Sequence, residues 1–188
     1  MYENLTNSLD CVQVRAVLGK VFRREVDPER LFSLSDQTSS TTRELLCELL
    51  SPACQAVQPG LAWTRDLTRL AVLTARAWQH QEPVLLVGET GCGKTSVVQA
   101  LAGLRGAKLH SLSCHANTEA ADLLGGLRPG RAGQAGLFHW QDGPLVRAMR
   151  EGAVFLADEI SLAEDSVLER MNSVLEPERA VLLAEKVG

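Results

Sequence analysis

A parallel α/β fold is what this sequence of 188 residues predicts. Three observations carry it. Short apolar runs alternate with helical stretches, a glycine-rich loop joins one run to a helix, and an acidic pair ends another. Alternation of this kind belongs to parallel sheets, because a parallel strand reaches its neighbour only through a crossover.

Composition narrows the class further. The chain is 45 % hydrophobic and 22 % charged, which is ordinary globular usage rather than that of a disordered chain. Its formal charge of −4 offers no basic face, so nucleic acid is not the expected partner. No apolar run approaches the roughly 18 residues of a membrane span. Met1-Tyr2-Glu3-Asn4 lacks the charged-then-apolar order of a secretory signal. Aromatic residues make up only 4 %, so the core is expected to be aliphatic. Cys11, Cys47, Cys54, Cys92 and Cys114 form an odd set with no C-x-x-C pair. That argues against a disulfide framework or zinc knuckle and for a reducing, intracellular compartment.

Taken in order, Leu9 to Phe22 carries a ragged helical stripe that Asp27-Pro28 breaks, since the residue before proline is pushed out of the α region. Ser33 to Thr42 is polar and reads as a loop. Thr41 with Glu44 spells a capping box ahead of Leu45, Leu46, Leu49 and Leu50. Ser51-Pro52 and Pro59-Gly60 mark the best boundary. Residues 1–58 are therefore expected to be a small helical segment without chemistry, and residues 59–188 a second domain.

In that second domain Trp63 to Trp78 follows helical spacing, and Val84-Leu85-Leu86-Val87 fits a strand buried on both faces. A glycine-rich turn leads into a helix through Val97, Val98, Leu101 and Leu104, closed by Gly106. Lys108 to Ser113 reads as a second strand. Asn117 is placed to cap a helix through Leu123 that Gly125-Gly126 end. Residues 126–140 fit a hairpin, Pro144 to Arg150 a helix, and Ala153 to Ala157 a third buried strand. Ser161 is expected to cap a helix reaching about Leu175, and Ala180 to Leu183 reads as one more extended run.

Gly88-Glu89-Thr90-Gly91-Cys92-Gly93-Lys94-Thr95 matches the phosphate-loop pattern G-x-x-x-x-G-K-[ST] in full. Glycines let backbone N–H groups turn inward around phosphate oxygens, and the helix that starts here adds its positive end. Lys94 is suited to the β- and γ-phosphates, and the Thr95 hydroxyl to Mg²⁺. From composition alone such a match arises on the order of a few times in a thousand chains of this length, before a flanking strand and helix are required.

Asp158-Glu159 follows the run Ala153 to Ala157. A carboxylate at the C-terminal tip of a parallel strand sits beside the loop mouth, where Mg²⁺ takes an outer-sphere ligand, so Asp158 is assigned that role. Glu159, one residue on, is placed to polarise an attacking water.

Weaker signals are read as structural. Cys92 is a small residue at a variable loop position. Cys114-His115 and His110 lack a second cluster with metal-ligand spacing. Phe138 and Trp140 fit a hairpin packed on its own domain as well as a partner-binding tip. Glu164, Asp165, Glu169 and Glu176 are the solvated side of a helix.

Beyond the generic loop, a strand order of loop strand, one intervening strand and then a strand ending in Asp-Glu resembles the additional-strand, catalytic-glutamate division of P-loop ATPases. The stretches Glu82–Thr95, Asp122–Pro129, Trp140–Val146, Asp158–Ala163 and Glu169–Glu176 closely resemble the midasin family, dynein-related AAA+ ATPases that carry a row of AAA+ modules in one chain. The likeness is dense over residues 63–188. It implies a P-loop NTPase (AAA+) parallel sheet with flanking helices, and a β-hairpin insert near residues 126–140. It implies ATP and Mg²⁺ as cofactors, nucleotide contacts from Gly88 through Thr95 and Ser96, Lys94 and Glu159 as catalytic residues, and Thr95 and Asp158 as Mg²⁺ ligands.

The same resemblance implies a nuclear chaperone, in nucleolus and nucleoplasm, that remodels and releases assembly factors from precursor large ribosomal subunits. Its partners are then neighbouring AAA+ modules of the same chain, pre-ribosomal particles and assembly factors, with no sequence-specific nucleic-acid contact and no membrane. The family's sensor asparagine strand, arginine finger, last core strand and helical lid are expected beyond Gly188. Residues 59–188 are accordingly expected to be the N-terminal part of one AAA+ module, with a sheet incomplete at the C-terminus and no activity by themselves. Residues 1–58 are then expected to be the tail of a preceding module or a linker. A nucleotide-binding module that does not hydrolyse, and a MoxR-like AAA+ chaperone, are the alternatives.

Overall fold

The computed structural model describes residues 8–23, 32, 40–49, 51, 54, 56, 58–129 and 138–183. Two compact units divide the chain, Met1–Cys47 and Glu48–Gly188. In the first, helix α1 spans Ser8–Phe22, with Val12, Val17, Val21 and Phe22 exposed. Helix α2, Ser40–Leu49, crosses the boundary between the units. It begins at Ser40, so Thr41 lies inside the first turn and not at the cap. The run Ser39-Ser40-Thr41-Thr42 offers four residues of capping type, and sequence alone does not choose among them.

The second unit is the parallel α/β layer. Helix α3 spans Arg65–Gln79, and Thr64 caps it by accepting from the Leu67 N–H at 3.3 Å. Helix α4, Lys94–Leu104, buries Val97, Val98, Ala100, Leu101 and Ala102. Strand β1, Leu109–Ser113, pairs in parallel with strand β4, Val154–Asp158, in a register that sets Ser113 opposite Asp158. Between them come helix α5 (Ala120–Leu124), an antiparallel hairpin of β2 (Gly125–Pro129) and β3 (Phe138–Asp142), and helix α6 (Pro144–Glu151). A 3₁₀ turn at Ile160–Leu162 leads into helix α7, Asp165–Leu175.

One aliphatic cluster joins these pieces. Leu123 and Leu124 of α5, Leu145 and Val146 of α6, and Val167 and Met171 of α7 are buried together. Leu112, Phe155 and Ala157 pack against them from one face of the β1–β4 pair, as the two-residue strand period requires. Full burial of a leucine stabilises by about 1.5–3 kcal/mol, so this cluster anchors the strand tips from which the site is built.

At the base of the hairpin the backbone is too close for side chains. Gly125 has φ +115°, and a Cβ there would lie 2.2 Å from the Gln141 carbonyl oxygen. A Cβ on Gly143 would lie 2.4 Å from the Leu123 oxygen, while its N–H donates to Leu124 O at 2.9 Å. The expected hairpin is therefore present, and residues 130–137 at its tip lie outside the described residues.

Four further expectations are corrected. Val84–Val87 is not a strand: no described segment pairs with it, and Val84, Leu85 and Val87 are 45 %, 72 % and 85 % exposed. An apolar run becomes a strand only when a neighbour supplies its hydrogen bonds, and periodicity does not reveal the neighbour. Asn117 does not cap α5; Glu119 and Asp122 form a reciprocal capping box two residues later. Ser161 lies inside the 3₁₀ turn, and Glu164 precedes α7 instead. Ala180–Leu183 makes no ladder, although Val181 and Leu183 pack on the aliphatic cluster.

Candidate functional site

The glycine-rich loop runs from Gly88 into the first turn of α4. Gly91 (φ 82°) and Gly93 (φ 87°) take the left-handed conformation that side chains rarely adopt. That alternation turns successive N–H groups toward one side, the geometry of an anion nest, ahead of the positive end of an 11-residue helix. Lys94 crosses the loop: its Nζ donates to the carbonyls of Gly88 at 2.8 Å and Glu89 at 2.7 Å, and lies 3.6 Å from Cys92 Sγ. Glu89, Thr90 and Cys92 are exposed along the loop, and Ser96 is half-buried in the first helical turn.

Gly93 is held from behind. A Cβ built on it would lie 2.7 Å from Leu67 Cδ1, so the start of α3 abuts the end of the loop. The sequence gives Leu67 a place in the helical spacing from Trp63 to Trp78 and no sign of this contact.

The loop and the strand tip meet at one hydrogen bond. Thr95 Oγ1 donates to Asp158 Oδ2 at 2.9 Å. Asp158 Oδ1 accepts from the Glu159 N–H at 3.1 Å, and Asp158 O accepts from the Cys114 N–H at 2.9 Å. The carboxylate is thus fixed from the loop side and from its own backbone. Burial and the nearby Asp158 charge push the Cys114 thiol above its ordinary range, which keeps it neutral and inert. Glu159, exposed, sits at φ 53° and ψ 37°, a left-handed residue other than glycine. Such a conformation costs about 1–3 kcal/mol and ends the strand abruptly at the acidic pair.

The donor set fits Mg²⁺. A hydroxyl and a carboxylate 2.9 Å apart are hard oxygen donors, of the kind that hold this ion beside phosphate oxygens. Among the described residues no group of three or more His, Cys, Asp or Glu side chains is placed to hold a metal by itself. The two histidines weighed above belong to separate contacts. His110 Nε2 is 3.3 Å from Glu151, which Lys108 also reaches at 3.0 Å; these two neighbours hold the Glu151 carboxyl below its usual range. His115 Nδ1 accepts from the Asn117 N–H at 3.2 Å. Trp140 packs back on its own hairpin, with Nε1 donating to Asp142 at 2.8 Å, whereas Phe138 is exposed. Glu164, Asp165, Glu169 and Glu176 are all exposed. No helix among the described residues is long and apolar enough to cross a membrane.

Residues 83–186 match the AAA domain of the dynein-related subfamily, and the chain belongs to that family. The resemblance read from the motifs is met in the curated relatives. The chain is 32 % identical over 267 aligned positions to midasin of Dictyostelium discoideum, covering 99 % of this chain and 4 % of that protein. It is 34 % identical over 160 positions to midasin of Giardia intestinalis, covering 66 % of this chain and 3 % of the relative. It is also 42 % identical over 113 positions to the denitrification regulatory protein NirQ of Pseudomonas aeruginosa, covering 60 % of this chain and 42 % of the relative. The chain therefore spans a few per cent of the midasins and under half of NirQ.

Proposed function

We propose that the chain is an ATP-binding, Mg²⁺-dependent ATPase module of a midasin-like chaperone acting on precursor large ribosomal subunits. The observation that carries the nucleotide part is the Thr95–Asp158 hydrogen bond, because it joins the phosphate loop to the strand-tip carboxylate in one site. The likeness to two midasins supports the biological part.

The chain's own residues divide the work. Backbone N–H groups from Gly91 to Thr95 hold the phosphates, and the Lys94 ammonium neutralises their charge. Thr95 and Asp158 would hold Mg²⁺, which when bound supplies positive charge at the phosphate oxygens. Glu159 orients and deprotonates the attacking water as general base. An arginine from a neighbouring module completes the transition-state charge. The setting is nuclear, in nucleolus and nucleoplasm, with pre-ribosomal particles and their assembly factors as partners.

Affinity purification of the tagged full-length protein tests the biological role. Enrichment of precursor large-subunit particles, stronger when Glu159→Gln blocks release, is the expected result; their absence in both forms contradicts it. The NirQ match favours a second reading, a MoxR-like AAA+ module with other clients, and the same purification would then return no ribosomal precursors.

A further inference from the structure

We infer that Leu67, outside the phosphate-loop motif, is a positioning residue that sets the shape of the nucleotide cradle. The inference rests on the reading of Gly88–Thr95 as that cradle. Gly93 has φ +87°, and the volume where an L-residue would place its Cβ is filled by Leu67: Cδ1 at 2.7 Å, Cδ2 at 3.7 Å and Cγ at 3.8 Å from that point. Two separate causes therefore demand glycine there, backbone conformation and occupied space. The occupying side chain is itself rigid. Leu67 is 7 % exposed, and its N–H is bonded to the Thr64 cap at 3.3 Å, which fixes its backbone in the first turn of α3.

The cradle is thus braced at both ends. At its start the Lys94 ammonium gathers the Gly88 and Glu89 carbonyls. At its end Leu67 blocks Gly93 from moving back toward α3. Phosphates are held here by backbone donors, whose value depends on their being aligned before the ligand arrives. Leu67→Ala removes the isobutyl end and opens a void behind Gly93, giving that peptide freedom it lacks now. The cost falls on phosphate binding in general, so ATP and ADP are affected alike. Chemistry is spared, because Asp158 and Glu159 lie on β4 and the turn after it.

Calorimetric titration of the full-length protein with ATP and with ADP, its other nucleotide sites silenced through their loop lysines, followed by steady-state hydrolysis, tests this. Leu67→Ala should raise both Kd values about tenfold, the scale on which small misplacements of binding groups act, and raise KM with kcat within about twofold. Leu67→Met, which keeps the volume and reach, should restore wild-type affinity. Val72→Ala, a fully buried position on the same helix, should leave Kd within about twofold while costing comparable stability. Leu67→Val gives a graded, smaller loss if the alanine variant does not fold. A merely structural role predicts lower kcat and binding amplitude with unchanged KM, or equal effects from Leu67→Ala and Val72→Ala; either outcome overturns the inference. Wild-type protein that binds no ATP overturns the cradle reading itself, and this inference with it.

Discussion

Thr95 and Asp158 are 63 residues apart in sequence and joined by a 2.9 Å hydrogen bond in space. One sits in the first turn of α4 and the other at the tip of β4. A hydroxyl donating to a carboxylate is a modest contact by itself, worth about 1.5–3 kcal/mol as a bond to a charged group. Its weight lies in what it brings together: the glycine-rich loop that we propose as a backbone cradle for phosphate, and the carboxylate that we propose for the accompanying cation. The aliphatic cluster under β1 and β4 holds the carboxylate end of that relationship.

Lys94→Ala should abolish ATP binding. The ammonium is the positive side chain that lies across the loop, and it also braces the Gly88 and Glu89 carbonyls, so charge and loop shape are lost together. Calorimetry against wild type checks this; unchanged affinity would remove the phosphate-loop assignment.

Asp158→Asn should separate nucleotide from metal. The amide keeps the size and still accepts from Thr95, but it loses the negative charge that a divalent cation needs. Binding of ATP without Mg²⁺ should change little, whereas the gain in affinity on adding Mg²⁺, and its loss with a chelator, should largely vanish. Equal Mg²⁺ dependence in both proteins would show that Asp158 has no part in holding the ion.

Gly143→Ala should destabilise the unit without touching the cradle. The new Cβ would fall 2.4 Å from the Leu123 oxygen and 2.6 Å from the Gly125 nitrogen, both backbone atoms that cannot move aside. Overpacking of this kind costs about 1–3 kcal/mol. Thermal unfolding measures it, and a midpoint equal to wild type would mean that the hairpin base has room for a Cβ at Gly143.

Much of this was legible in the sequence where signals are local. The glycine-rich loop, α4, β1, β4 and the hairpin follow from glycine placement, apolar runs and helical spacing over a few residues. What escaped depends on distant partners. Val84–Val87 has the composition of a strand, yet among the described residues it has no neighbour to complete a ladder. Caps were misplaced where several polar residues competed, as at Asn117 against Glu119. Leu67 escaped for the same reason: its contact with Gly93 joins α3 to the loop ahead of α4, and no local pattern encodes it.

The central claim is that this site turns ATP over through Glu159, and single-turnover hydrolysis by Glu159→Gln tests it most directly. The amide keeps nearly the same shape but cannot take a proton. Binding relies on the loop N–H groups, Lys94, Thr95 and Asp158, so Kd should stay within a few-fold of wild type. A positioned general base contributes about 10²–10⁴-fold, so the rate should fall by that factor. The measurement belongs in the full-length protein, with other nucleotide sites silenced through their loop lysines. A wild-type rate no higher than that of Glu159→Gln would contradict the claim and leave the module a holder of nucleotide.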